Sequence, residues 1–205
     1  MTLYFGLTGS IGMGKTTTSQ MFRDEGIRVH DADQMVHDLY AGEAASLIEA
    51  AFPGSVVEGV VDRAKLGTHV IGDADAMKRL EAIIHPMVRD RELEFRRLAK
   101  MSEDIFAILD IPLLFETGSE DRVDGIIVVT APPDVQRARV LAREGMTEAK
   151  FEAILARQTP DAEKRSRADF IIDTSTGMET ARAAVREIIR KVTEGNWSKR
   201  IKNDA

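Results

Sequence analysis

The run Leu3 to Thr8 carries no charge and is mostly apolar and aromatic. It ends in a glycine loop, and from about Lys15 to Asp24 the pattern becomes that of an amphipathic helix. That order predicts strand, loop, helix. Short apolar runs recur at Ile27 to His30, Ile105 to Ile111, Gly125 to Thr130 and Phe170 to Ile172, each between polar or glycine-containing segments. They read as buried strands of a parallel sheet, with helices filling the intervals. The expected fold is α/β, a doubly wound parallel five-stranded sheet whose ligands sit at the carboxyl ends of its strands.

Two intervals are longer than a crossover needs. Residues 34–102 hold several helical stretches, including "ADAMKRLEAIIHPMVRDRELEFRRLAKM", in which Pro86 is expected to kink or split the helix. This interval reads as an inserted helical lobe. Residues 133–168 are rich in Arg, Lys and Glu and predict a helical lid. The polar tail "GNWSKRIKNDA" is expected to fray. One domain carries all of this, with the lobe and the lid as subregions.

Composition narrows the function. At 205 residues, 43% hydrophobic and 30% charged, the chain can bury a substantial core. Its formal net charge of -6 argues against a broad basic face for nucleic acid. There is no cysteine, which excludes thiolate metal sites and cysteine nucleophiles and fits a reducing compartment. No signal peptide or membrane span is visible, so the expectation is a cytoplasmic protein that engages neither membrane nor nucleic acid.

The chemistry begins at Gly9-Ser10-Ile11-Gly12-Met13-Gly14-Lys15-Thr16, which matches G-x-x-x-x-G-K-[ST]. It lies where that motif works, after a strand and opening a helix. Glycines permit the positive φ angles and close approach that let backbone N–H groups wrap a phosphate, and the helix N-terminus adds partial positive charge. The loop Gly9, Ile11, Gly12, Met13 and Gly14, with Lys15, Thr16 and Thr17, is therefore the expected ATP-binding segment. Lys15 would neutralise the β- and γ-phosphates, and the Thr16 hydroxyl would ligate Mg²⁺. Met13 is bulky for this loop and fits only if its side chain points away.

Three further groups bear on the acceptor. "IRVHDAD" places Asp31 and Asp33 at a strand's carboxyl end. Two roles are open to Asp33 on spacing alone: general base for an attacking hydroxyl, or N-cap of the next helix. "AILDIPLLFE" ends its apolar strand in Asp110, a Walker-B-like carboxylate for Mg²⁺. Glu116 then reaches the acceptor or the metal, or is an ordinary solvated residue. The cations of the lid are Arg137, Arg139, Arg143, Arg157, Lys164, Arg165 and Arg167. Arg139 and Arg143, four apart, would share a helix face and reach the triphosphate together.

"GLTGSIGMGKTT", "DAD", "LEAIIHPMVR" and "DIPLLFE", in that order, resemble the dephospho-CoA kinase family, and "ILARQTPDAEKRSRADFIIDTSTG" is similar to its lid and last strand. The resemblance extends from Leu3 to about Ile189. It implies transfer of a phosphoryl group from ATP, with Mg²⁺, to the ribose 3′-hydroxyl of dephospho-CoA. It implies Asp33 as the base, Lys15, Arg139 and Arg143 as further catalytic groups, and acceptor contacts at Thr8, His85, Pro86, Leu113, Leu114 and Glu116. The implied partners are ATP and dephospho-CoA, and the assembly a monomer or small homo-oligomer. Ser10 and Thr16 stand where glycine and serine are more usual, and Thr174 stands where the family often has asparagine. That last change bears on a nucleotide contact near Thr174.

A different small-molecule or nucleoside monophosphate kinase shares the loop and the lid and is the alternative. A GTP switch would show an N-K-x-D segment, which the chain lacks. A nucleic-acid-dependent ATPase would need a positive track.

Overall fold

The computed structural model describes residues 1–198. Strand β1 (Leu3–Thr8) leads through the glycine loop into helix α1 (Lys15–Asp24), as expected, and then to β2 (Val29–Asp31). Four helices follow: α2 (Ala32–Tyr40), α3 (Ala45–Ala51), α4 (Arg63–Val70) and α5 (Ala74–Met101). Between α3 and α4 lies a hairpin, β3 (Val56–Val57) and β4 (Val60–Val61). The chain continues through β5 (Phe106–Asp110), β6 (Gly125–Thr130), α6 (Pro133–Leu141), α7 (Glu148–Leu155), α8 (Asp161–Ser166), β7 (Phe170–Asp173) and α9 (Met178–Thr193).

The main sheet has the order β2-β5-β1-β6-β7, and β1 pairs in parallel with both β5 and β6. The register Leu7 to Asp110 brings the end of β5 level with the end of β1, beside the glycine loop. Every residue of β5 and β6 is buried, as expected of strands covered on both faces. The core between the sheet and helices α1 and α9 centres on Phe5, Phe22, Ile108, Ile127 and Val185.

The chain divides into two compact units: residues 30–98, and residues 1–29 together with those from 99 onward. The 30–98 unit has its own core around Ile48, Phe52, Leu66, Leu80 and Ile84. Its hairpin is absent from the sequence reading. The signal was present in "VVEGVV", because Glu58 and Gly59 both take positive φ, 51° and 82°, the geometry of a two-residue turn between paired strands.

Two expectations need correction. The tail does not fray where it begins, because the Trp197 ring packs on Phe5 with centroids 4.7 Å apart. Gly125 makes the room, since a Cβ there would lie 2.5 Å from Phe5 and 2.8 Å from Trp197. The rest of that tail, residues 199–205, lies outside the described residues.

Of the two outcomes expected at Pro86, a kink or a split, the split does not occur: α5 is one helix of 28 residues. Leu80 and Ile84 hold one face in the core, while Pro86 and Ala82, whose carbonyl loses its helical donor, are both exposed to water that can take up that carbonyl. Among the described residues no helix is long and apolar enough to cross a membrane.

Proline inside a helix still costs stability that packing must offset. Pro86→Ala should restore the amide donor to Ala82 and raise unfolding free energy by about 1–2 kcal/mol. Urea denaturation measures this, and an unchanged or lower midpoint would show that the proline is locally accommodated without cost.

Candidate active site

The glycine loop leaves β1 at Gly9 and turns so tightly that the Met13 N–H reaches the Ser10 carbonyl at 3.1 Å. Gly12 and Gly14 take φ of 79° and 95°, in the left-handed region that side chains disfavour. A Cβ on Gly12 would also lie 2.5 Å from Val140, so α6 packs directly against the loop. Gly14 is the N-cap of α1, and no side chain caps that helix. Its first amides thus stand at an anion-binding terminus. Thr16 and Thr17 in that first turn are exposed. The Met13 side chain turns into the protein, where its sulfur accepts the Ala131 N–H at 3.0 Å.

Lys15 forms an ion pair with Asp110, whose side chain is only 1% exposed. The register of β1 with β5 produces this contact between the phosphate-loop lysine and the strand-end carboxylate. Thr8 and Leu114 were expected to touch the acceptor, but both are fully buried. The Thr8 hydroxyl donates to the Pro112 carbonyl at 3.1 Å, and Leu114 packs beneath Gly6. Leu113 is exposed.

Glu116 is neither solvated nor open to a ligand on all sides. One carboxylate oxygen, Oε1, accepts the Thr159 N–H at 2.8 Å and lies 2.8 Å from Lys164 Nζ. Lys164 is fully buried, which is rare for lysine without a carboxylate partner. Burial alone would raise the Glu116 carboxyl, but the Lys164 ammonium and backbone N–H donors reverse this and hold it below its ordinary value of 4.5.

The cations of the 133–168 segment separate into groups. Arg137 pairs with Glu148, Arg165 with Asp161, and Arg167 with Glu120 and Glu163, so these charges are committed inside the protein. Arg139 turns towards the back of the loop: its guanidinium donates to Thr174 Oγ1 at 2.7 Å and to the Thr174 carbonyl at 2.8 Å. Helix α6 ends at Leu141, so Arg143 lies beyond it and the expected shared helix face is not formed. Arg143 and Arg157 are exposed, and among the described residues neither has a carboxylate within salt-bridge distance. The end of the segment is tied down: Gln158 accepts the Ile11 N–H at 3.1 Å, and Asp161 accepts the Thr130 hydroxyl at 2.9 Å.

In the 30–98 unit, the capping question is resolved. Asp31 is the N-cap of α2, accepting from the Asp33 and Gln34 amides at 3.1 and 3.0 Å. Asp33 sits in the first turn with an exposed side chain and no capping duty. His85 and Pro86 are exposed neighbours on α5. A cleft of about 350 Å³ in this unit is lined by Met35, Asp38, Leu39, Gly42, Glu43 and Arg91, and Arg91 pairs with Glu43 there.

Two residues that bond the loop, Gln136 and Gln158, had no sequence signal, and Lys164 was visible only as one of the lid cations; all three sit in charged stretches that resemble solvated helix faces. Thr174 was visible only as a departure from a resemblance.

A parallel sheet with a lysine-bearing glycine loop between its central strand and an uncapped helix defines a P-loop nucleotide-binding fold of the kinase class. The profile of the dephospho-CoA kinase family matches residues 3–180, and the chain belongs to that family. A Mesorhizobium japonicum protein named dephospho-CoA kinase is 63% identical over 187 residues, covering 91% of this chain and 95% of its own length. Among solved structures, TT1252 from Thermus thermophilus superposes with a TM-score of 0.76 at 33% identity, covering 92% of this chain and 96% of its own. Dephospho-CoA kinase from Campylobacter jejuni gives 0.72 at 28% identity, covering 96% of this chain and all of its own.

The Glu116–Lys164 pair makes a stability prediction with a definite sign. Because the folded carboxyl is held below 4.5, its contribution is present above that pH and fades as acid takes the protein through the lower folded value. Glu116→Gln should cost about 3 kcal/mol at pH 7 by stranding a buried ammonium. Glu116→Gln combined with Lys164→Met should recover part of that loss. Thermal melts at pH 7 and near pH 3 check both, and a Glu116→Gln deficit that persists undiminished in acid would contradict the assignment.

Proposed function

We propose that the protein transfers the γ-phosphoryl group of ATP to the ribose 3′-hydroxyl of dephospho-CoA, giving coenzyme A and ADP. The observation that carries the reading is the glycine loop with Lys15 set against the buried Asp110, the donor half of a phosphoryl-transfer site. The name borne by relatives such as the Mesorhizobium japonicum protein supports the choice of acceptor.

Loop amides and Lys15 hold the β- and γ-phosphates, so the phosphorus is fixed before attack. Asp33 orients the acceptor hydroxyl and takes its proton. The freed oxygen forms a bond to the γ-phosphorus as the bridging oxygen leaves with ADP, in line and without a phosphoenzyme. Asp33 suits the role because Asp31 has taken the capping duty, leaving the Asp33 carboxylate exposed to solvent and ligand. Arg139 adds positive charge from behind the loop. Arg143 and Arg157, which among the described residues have no carboxylate partner, are available to the transferring group.

The donor set also fits a hard cation. Thr16 offers a hydroxyl and Asp110 a carboxylate, both oxygen ligands of the kind Mg²⁺ takes alongside nucleotide phosphates and water. Among the described residues no group of three or more His, Asp or Glu side chains forms a metal cage, which suits an ion that arrives with the nucleotide. When bound, it would supply positive charge that neutralises the nucleotide phosphates.

Residues 34–102 serve as the acceptor lobe, with His85, Pro86, Leu113 and Glu116 towards the acceptor. The cleft beside Arg91 has the volume of a small-molecule subsite, about 350 Å³. Residues 133–168 supply the lid, and its movement is confined to the stretch between the end of α6 and Gln158, because both flanks are bonded to the loop and sheet. The protein works in the cytoplasm as a monomer or small homo-oligomer, without nucleic acid.

The test is ADP release with Mg-ATP and dephospho-CoA, beside nucleoside monophosphates and a no-acceptor control. Turnover with dephospho-CoA alone and a 3′-phosphorylated product is the expected result, and turnover only with another acceptor would overturn the substrate assignment. Asp33→Asn should keep ATP affinity while kcat falls roughly 10²- to 10⁴-fold. Lys15→Ala should lower kcat/KM by roughly 10²-fold or more, and near-normal values in either variant would remove that residue from its role.

A further inference from the structure

We propose that Gln136 and Thr174, both outside the G-x-x-x-x-G-K-[ST] motif, are positioning residues that aim the Gly12 and Gly14 amides at the nucleotide phosphates. The argument starts from the peptide group. A planar trans peptide carries its C=O and its N–H on opposite edges, so holding the carbonyl to one side directs the following amide to the other.

Two carbonyls of the loop are held in this way. Gln136 Nε2 donates to the Ile11 carbonyl at 2.7 Å, and Thr174 Oγ1 donates to the Met13 carbonyl at 2.8 Å. The amides on the opposite edges belong to Gly12 and Gly14. Each carbonyl thus faces a side chain of the surrounding protein, and each amide is turned away from it, into the curve of the loop.

The donors are themselves held. Gln136 is only 6% exposed and lies on α6, which packs against Gly12. On the other side of the same residue, Gln158 accepts the Ile11 N–H, so Ile11 is gripped at both of its backbone groups. A hydroxyl has one hydrogen to give, and Arg139 donates to Thr174 Oγ1 at 2.7 Å. That donation occupies one of the oxygen's lone pairs, leaving its hydrogen to turn towards a carbonyl. Met13 at 2.8 Å is the nearer of the two within reach, Thr130 lying at 3.3 Å. The Thr174 amide bonds to the Thr130 carbonyl at 3.0 Å, which fixes its backbone to the end of β6. Gly14 completes the fit, because a Cβ there would lie 3.1 to 3.3 Å from three Thr174 side-chain atoms.

Arg139 therefore reaches the phosphates through Thr174 and the loop as well as through its charge. A threonine suffices where asparagine is more usual, because the site needs one donor for Met13 and one acceptor for Arg139, and a hydroxyl supplies both.

This inference rests on the loop binding the phosphates of ATP and ADP. The experiment measures ADP affinity by calorimetry, the KM for dephospho-CoA and the melting temperature in Thr174→Val, Gln136→Met and the conservative Thr174→Ser. The expected result is ADP binding weakened roughly 5- to 20-fold in Thr174→Val and Gln136→Met, the loss of one directing hydrogen bond. Thr174→Ser should stay near wild type, and the acceptor KM should hold within about twofold.

Backbone NMR adds a readout that general destabilisation does not move: the Gly14 amide resonance shifts on ADP addition in the wild type and shifts much less in Thr174→Val. ADP affinity unchanged in both variants would overturn the proposal. So would equal weakening of ADP and acceptor with a matching fall in melting temperature. Failure of the wild-type protein to bind ADP would instead remove the nucleotide reading beneath it.

Discussion

An amide that must point at a phosphate forces its neighbouring carbonyl to point elsewhere, and every arrangement around the glycine loop answers that constraint. Buried carbonyls need donors. Those donors come from two elements: α6 brings Gln136, the end of β7 brings Thr174, and the Arg139 guanidinium, also on α6, braces Thr174 in turn. The strand order supplies the platform, since β6 flanks β1 and β7 flanks β6, so the chain following each strand emerges beside the loop.

The same economy of contacts explains the charged segment after β6. Of its eight cations, four are committed to carboxylates, and Lys164 among them is wholly buried against Glu116. That pair ties the loop after β5 to α8, while Asp161 ties α8 to Thr130 at the end of β6. Isolated surface pairs contribute little, but a buried pair whose partners are both held geometrically fixes one arrangement against others. The segment is thus a frame at both ends, while Arg139 bonds Thr174 and Lys150 bonds the Gly145 carbonyl.

The 30–98 unit follows a different logic. Its helices are short except α5, and its core is aliphatic with one phenylalanine, Phe52, at the centre. Asp31 and Asp33 stand in different surroundings at the start of α2. One accepts two backbone amides at the start of α2, and the other is left with its oxygens exposed. Spacing alone offered Asp33 as a possible cap, and the observed start of the helix at Ala32 gives that place to Asp31 instead.

Local chemistry made much of this protein legible from its sequence. Strand runs covered on both faces read as continuous apolar segments, the glycine-lysine motif announced its loop, and Lys15–Asp24 formed a helix where the pattern placed one. The hairpin at Glu58-Gly59 was written in its turn residues as well. What the tertiary structure alone decided were the partners of polar side chains. Gln136, Lys164 and Thr174 look solvated in a linear reading, because polar residues in charged stretches usually are. Their burial follows from which strand ends lie side by side in the sheet, and strand order is a long-range property that no local pattern encodes. For the same reason Thr8 and Leu114, motif neighbours of the acceptor segment, proved to be interior supports.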